Sequence, residues 1–564
     1  MKLKIFICGI MLAAAISSCN KIDRDFGALL DNPNTPTPAS ADVDLFLNHA
    51  QLNFSNFLTS YDGVGNITGI ADFAAQVTRM EQMAGPTYLN AYQAQNFNYL
   101  WGYAYMEEFK NLNAMFDIAN QQKKYIHLGM GKIIKAYTLM TLVDCFGDIP
   151  YSEANLGLEN ANPKTDNGKV VYAAALALLD EAISDLGKAT SATAIPTNDL
   201  FYNGNPARWI TLAKTLKLKA YVQTRLVDPT VKDKINALLT EDDLIDTPAE
   251  DFAFQYSSKN AAPDSRHPKF INNYAGAGGA QDYIGNYFMW TMIVEKGIVD
   301  PRARFYFYRQ TLDITALDAT TLQFTIPCLF RAYPSHYPPG TPYCLVDNGY
   351  IGRDHGNAEG IGPDNLLRTT FGIYPAGGQF DNDQGVARKA TDGGKGAGIF
   401  PIWLSSYTEF LKAEAALTLG TAGDPEALVE SGIRKSFAKV FAYPASVGVT
   451  IPANRVPTQS VQDQYVNKVK SLYENAPDND ERLDVIMKEY YIALWGNGIE
   501  AYNNYRRTGK PSNMQPALQP APGDFIRSFF YASVYVDLNK NATQKPGTLV
   551  KTFWDTNPDH GWVK

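Results

Sequence analysis

Apolar residues recur at helical spacing over much of this chain. Ile126, Met130, Ile134 and Tyr137 share one stripe, and Ile133, Met140 and Val143 run beside it. That spacing predicts a helix over 126–146, ended by Gly147 and Pro150. An alanine-rich helix is expected at about 169–187. The next opens with Asn205-Pro206, an N-cap followed by proline at the first helical position, and runs through Trp209, Leu212, Leu216 and Ala220. The pattern returns at 402–420. Asp424-Pro425-Glu426 then caps a further helix, with acid against the positive end of its dipole. Residues 480–507 read as one long helix, acidic at Asp480 and Glu481, basic at Arg506 and Arg507, and stopped by Gly509 and Pro511. Paired helices of this length predict a mostly α protein, a degenerate tetratricopeptide-like scaffold without a strict 34-residue consensus. Its helical repeats occupy about 41–240 and 401–510, and a C-terminal segment follows at 511–564.

The helical period breaks in 251–400. This stretch holds 19 of the 43 glycines, 11 of the 33 tyrosines and 11 of the 29 phenylalanines. Disorder requires low hydrophobicity, so the aromatics predict an ordered, loop-rich insertion. Loops held on a rigid scaffold are where binding surfaces usually sit.

The N-terminus follows a third pattern. Lys2 and Lys4 precede an apolar run from Ile5 to Ile16, and Ser17-Ser18-Cys19 follows. The run is too short to span a bilayer, which needs about 20 residues. A charged start, a short apolar middle and small residues describe an export signal. A cysteine at that point is what a bacterial lipoprotein signal offers for lipid attachment. Residues 1–18 are expected to be removed, Cys19 to carry lipid, and 19–40 to form a tether containing Pro33, Pro36 and Pro38. Losing Lys2 and Lys4 moves the formal charge from −8 to −10. An acidic chain without a Lys/Arg block has no footprint for nucleic acid.

Export permits disulfides. Cys8 leaves with the signal, Cys19 carries lipid and Cys145 lies in an apolar helix as a buried thiol. Cys328 and Cys344 remain as a candidate pair, whose closed loop would contribute about 3 kcal/mol.

Catalytic signatures are absent: no His-Glu-x-x-His, Gly-x-Ser-x-Gly, phosphate loop or complete Gly-x-Gly-x-x-Gly occurs. The six histidines show no ligand spacing for zinc. Asp381-Asn382-Asp383-Gln384-Gly385 resembles a fragment of a calcium loop but lacks the distal glutamate, so a plain polar turn is the reading and no cofactor is expected. Asp144, Asp148 and Glu153 read as capping and turn residues.

Four stretches resemble one family. Residues 133–154, IIKAYTLMTLVDCFGDIPYSEA, look like the hallmark of SusD/RagB nutrient-binding lipoproteins. Residues 199–225 match the next landmark, Gly-x-x-x-x-Trp followed by a Leu-Lys-Leu helix. TEFLKAEAAL at 408–417 resembles the family's alanine–glutamate helix, continued by Glu430-Ser431-Gly432-Ile433. The close, from Phe525-Ile526-Arg527 to Phe553-Trp554-Asp555, is similar to its terminal segment, although Phe530-Tyr531-Ala532-Ser533 departs from the usual pattern. Gly352-Arg353-Asp354-His355-Gly356 and the overall spacing point to the second SusD-like subfamily.

The resemblance implies an outward-facing outer-membrane lipoprotein. Such a protein captures an oligosaccharide or peptide and delivers it to a partner TonB-dependent barrel, without catalysis. A sugar site needs aromatic platforms and fixed polar groups. The candidates are Tyr283, Tyr287, Trp290 and Arg302, then Tyr333, Tyr337, Tyr350, Arg353, His355 and Tyr374; Trp290 leads, as the only tryptophan in 251–400. The rival readings are a secreted glycan-degrading enzyme, with turnover lost on mutating a carboxylate pair, and a tetratricopeptide-type adaptor that binds only protein.

Overall fold

The computed structural model describes residues 42–61, 68–83, 85–190, 193–275, 282–314, 318–357, 359 and 367–564. The signal at 1–18, Cys19 and the tether at 19–40 lie outside them.

The first helical block contains α1 (Val43–Leu58), α2 (Ile70–Val77), α3 (Lys110–Gln121), α4 (Tyr125–Phe146), α5 (Gly168–Leu186), α6 (Pro206–Gln223) and α7 (Val231–Glu241). Antiparallel α4 and α5 form its most closely packed pair. Gly129 makes that approach possible, because a Cβ there would lie 2.4 Å from Leu186 Cγ. Gly147, at φ +75°, ends α4 in a conformation that other residues resist. The Asn205 side chain accepts from the Ala207 amide and starts α6.

The loop-rich region begins and ends at one place. Strand β1 (Phe252–Gln255) pairs antiparallel with β4 (Ile399–Trp403), so the chain leaves and rejoins the scaffold at a single two-stranded sheet. Between them lie helix α8 (Asn286–Ile293) and the short pair β2 (Phe307–Tyr308) and β3 (Thr370–Phe371).

The second helical block has α9 (Ser405–Leu419), α10 (Pro425–Ser446), α11 (Gln459–Glu474), α12 (Asn479–Ala493) and α13 (Gly498–Thr508). The single helix read at 480–507 is therefore two. Gly496, at φ +96°, breaks it. The Asn497 side chain then caps α13 through the Glu500 amide and donates to the carbonyls of Pro401 and Ile402, tying the break to β4. A Cβ on Gly498 would meet Ala71 O of α2 at 2.2 Å, so the helix start is set by close packing.

The break inserts Trp495 into the loop-rich half. Its ring stacks on Phe288 at 4.7 Å and on Phe371 at 5.1 Å. One hydrophobic core runs from the helices into this aromatic cluster.

Asp144 differs from its reading as a capping residue. It is fully buried on α4 and accepts from Tyr172, Trp554 Nε1 (2.9 Å) and Asn503 Nδ2 (2.9 Å), with Lys219 Nζ at 3.3 Å. It thus joins α5, α6, α13 and the C-terminal segment. Asp148 and Glu153 do serve turns, accepting from the amides of Gly168 and Lys164. The Cys145 thiol is buried, and burial pushes it up to about 12.

Candidate functional site

The loop-rich half carries a cleft of about 530 Å³. One wall is an arm at 318–345, containing Cys328, Arg331, Ala332, Pro334 and Tyr343. The opposite wall includes Pro86, Asn357, Glu359, Leu518 and Gln519. A smaller pocket, about 30 Å³, adjoins it, sharing Cys328, Asn357 and Glu359 and reaching Arg353 and Asp354.

The arm exposes apolar side chains. Phe330 is 56% exposed and Tyr333 45% exposed, and both neighbour cleft residues in sequence. Phe324 and Leu329 are exposed on the same arm, and it is a clustering of exposed apolar groups that is informative. Tyr333 meets Tyr337 and Tyr343 edge-to-face, each at 5.8 Å, and its hydroxyl donates to Pro338 O and Thr341 O. His336 Nε2 donates to Ala517 O at 2.9 Å, tying the arm to the opposite wall.

Polar groups in the cleft are few and held. Arg331 forms an ion pair with Glu359 across it. Arg353 Nη1 donates to the Glu359 carbonyl at 2.8 Å, and Asn357 Oδ1 accepts from the Glu359 amide at 2.9 Å. Aromatic faces beside a small set of fixed polar groups suit a sugar, whose rings have apolar faces and hydroxylated edges.

Beneath the cleft, Asp354 is buried. Its carboxylate accepts from Asn286 Nδ2 (3.0 Å), Gln515 Nε2 (2.8 Å) and the Cys344 amide (2.9 Å). Burial outweighs these bonds and pushes its pKa up. His355 is buried against Tyr88, and burial, reinforced by nearby Arg79, holds its pKa well below the usual imidazole range.

The sequence candidates divide. Tyr333, Tyr337 and Arg353 gather at the arm and the small pocket. Tyr283 is buried between Arg353 at 4.3 Å and Arg368 at 5.0 Å. Tyr350 lies under Arg309 at 4.7 Å. Tyr287 is buried, bonded to Asn513 and Lys488. Trp290, half-buried, stacks on Tyr287 at 6.1 Å and does not line the cleft. Tyr374 is buried on Tyr306, 5.6 Å away. Arg302 is fully buried, paired with Asp300 and Glu489 and bonded to Ser436 on α10. The carboxylates of Asp381 and Asp383, in the calcium-loop-like stretch, accept from Arg309, and Asp383 also pairs with Arg304 and Arg455. Cys328 and Cys344 are joined in a disulfide.

Phe330, Arg331, Tyr343, Asn357, Glu359 and Gln519 were not among the sequence candidates. A signal for the first three was present, since they lie between or beside two cysteines in an aromatic, proline-rich stretch. Gln519 is brought in from more than 150 residues away.

Residues 33–319 match the SusD-like family described as starch-binding and associating with the outer membrane. Residues 396–545 match the SusD and RagB outer-membrane lipoprotein family. The chain belongs to the SusD/RagB family. No curated protein gives a significant match. Among solved structures, a SusD/RagB protein from Bacteroides thetaiotaomicron aligns with a TM-score of 0.64 at 19% identity, covering 92% of this chain and 100% of that one. A SusD homologue from Bacteroides fragilis gives 0.62 at 17% identity with the same coverage. A chitin-binding SusD homologue from Flavobacterium johnsoniae gives 0.58 at 19% identity, again over 92% and 100%. These superpositions establish a shared SusD fold. No helix among the described residues is long and apolar enough to cross a membrane.

Proposed function

We propose that this SusD/RagB protein captures an oligosaccharide in the cleft between the 318–345 arm and the wall containing Asn357 and Gln519. The observation that carries this reading is the exposed aromatic rim, Phe330 and Tyr333, beside a cleft of about 530 Å³. The captured glycan passes to a TonB-dependent barrel, and lipid on Cys19 tethers the carrier to the outer membrane, facing outward. The starch-binding description of the family and the chitin-binding neighbour support a glycan over a peptide.

Capture without catalysis suits the lining. Among the described residues, Glu359 is the only carboxylate in the cleft, and Arg331 holds it. Glycoside hydrolysis ordinarily needs two carboxylates flanking the bond. A shuttle must release its cargo, so affinity is expected between micromolar and millimolar, about −8 to −4 kcal/mol.

Calorimetric titration with malto- and chito-oligosaccharides tests the reading, with product analysis after prolonged incubation. Saturable heat without cleavage is the expected result. Cleavage would favour the enzyme reading, and no heat with any glycan would overturn capture. Cys19→Ala should move the protein out of the membrane fraction, and the wild type should co-purify with a TonB-dependent barrel.

A further inference from the structure

We infer that the Cys328–Cys344 disulfide is the positioning element of the cleft, fixing the aromatic arm in its ligand-ready arrangement. The inference rests on reading the cleft as the glycan site.

The two cysteines are held very differently. Cys344 is anchored: its amide donates to Asp354 and its carbonyl accepts from Asn286 Nδ2 at 3.1 Å. Both partners are buried. Cys328 lies in the turn Pro327–Phe330, in which no residue is buried. The helix before that turn, Ala319–Thr325, buries only Thr325. The disulfide is thus a covalent tie from an exposed segment to a fixed point.

Other ties are single hydrogen bonds, His336 to Ala517 O and Gln515 to Pro342 O, and the exposed Arg331–Glu359 pair, each weaker than a covalent link. The arm packs in a small cluster separate from the main hydrophobic core: Ile326, Cys344 and Ile351 are buried, and Leu322, Cys328 and Tyr343 are partly buried against them. Both disulfide partners belong to this small cluster, so its packing depends on the bond, and ordering each arm residue carries an entropic cost. Closing the loop at 328–344 removes disordered alternatives for the arm.

Its location gives the tie a functional meaning. Cys328 lines the cleft and both cysteines line the pocket adjoining it. Phe330, Arg331 and Tyr333 all lie inside the closed loop, and Tyr343 sits beside Cys344. A ligand that binds a pre-ordered arm avoids the cost of ordering it. Without the bond, binding must supply that ordering, so affinity falls while the helical body stays folded.

The test compares the oxidised full chain with two counterparts: the wild type reduced and alkylated, and the double variant Cys328→Ser, Cys344→Ser. Hydrogen exchange is read at the amides of Leu322, Ile326, Leu329 and Arg331, whose bonds are internal to the arm. The expected result is at least tenfold faster exchange there, unchanged exchange in the helices, and at least tenfold weaker binding of whichever malto- or chito-oligosaccharide binds the oxidised protein. Unchanged exchange in the arm, or equal affinity without the disulfide, would overturn the inference and leave the glycan reading standing. Failure of the oxidised protein to bind any glycan in the panel would overturn the reading of the cleft, and this inference with it.

Discussion

The helical scaffold and the disulfide-closed arm use the same residue types to opposite ends. In the scaffold, one buried carboxylate answers two buried guanidinium groups. Arg507 meets Glu414, which also takes Arg225 from the turn after α6. Most of its aromatics are buried in the core. In the arm, Arg331 remains 55% exposed and its pairing with Glu359 is a surface one, of the kind worth at most about 1 kcal/mol. Phe330 and Tyr333 face water. A buried polar network specifies structure because every member needs its partner. An exposed aromatic beside a surface ion pair contributes little to folding and is available to a ligand.

The comparison is broken most strongly from the scaffold side. Glu414→Gln leaves two buried guanidiniums without a full counter-charge and should cost about 3–5 kcal/mol in denaturant unfolding. Glycan affinity of the remaining folded protein should not change. Trp495→Ala removes the ring that joins the second helical block to the loop-rich half. It should cost about 3–5 kcal/mol, and a single unfolding transition should persist if the two halves share one core.

Substitution in the arm should do the reverse. Phe330→Ala or Tyr333→Ala should each weaken glycan binding by about tenfold, or about 1.4 kcal/mol, with stability changed by less than about 0.5 kcal/mol. Trp290→Ala should leave glycan affinity within about twofold, because Trp290 stacks on Tyr287 away from the cleft.

The subtlest effect is on acid stability. Burial raises the Glu414 pKa, but Arg507 and Arg225 outweigh it and hold the carboxyl below its usual 4.5. A depressed folded-state pKa gives stability that is present above about pH 4.5 and lost as pH falls through the folded-state value. The wild type should therefore lose stability on acidification below pH 4.5 more steeply than Glu414→Gln, as followed by unfolding midpoints across pH 3–6.

The scaffold was largely legible because helix periodicity and caps are local. The stripe at 126–146, the Asn205-Pro206 cap and the Asp424 cap each specify a helix within a few residues. The break at 494–497 was hidden: it depends on Asn497 reaching the carbonyls of Pro401 and Ile402 across the fold. The candidate site was legible only in part. Tyrosines and arginines in 251–400 look alike in sequence, whether an arginine is buried against Asp300, as Arg302 is, or exposed beside a cleft, as Arg331 is. Exposure, which separates ligand platforms from core, is a property of long-range packing. Asn357 and Gln519 enter the cleft through such packing and carry no local mark.

Calorimetric titration of the wild type and the Phe330→Ala, Tyr333→Ala double variant with malto- and chito-oligosaccharides tests the central claim most directly. The account predicts saturable binding by the wild type and at least tenfold weaker binding by the variant at an unchanged unfolding midpoint. Equal affinity in the two proteins, or no binding by the wild type, would contradict it.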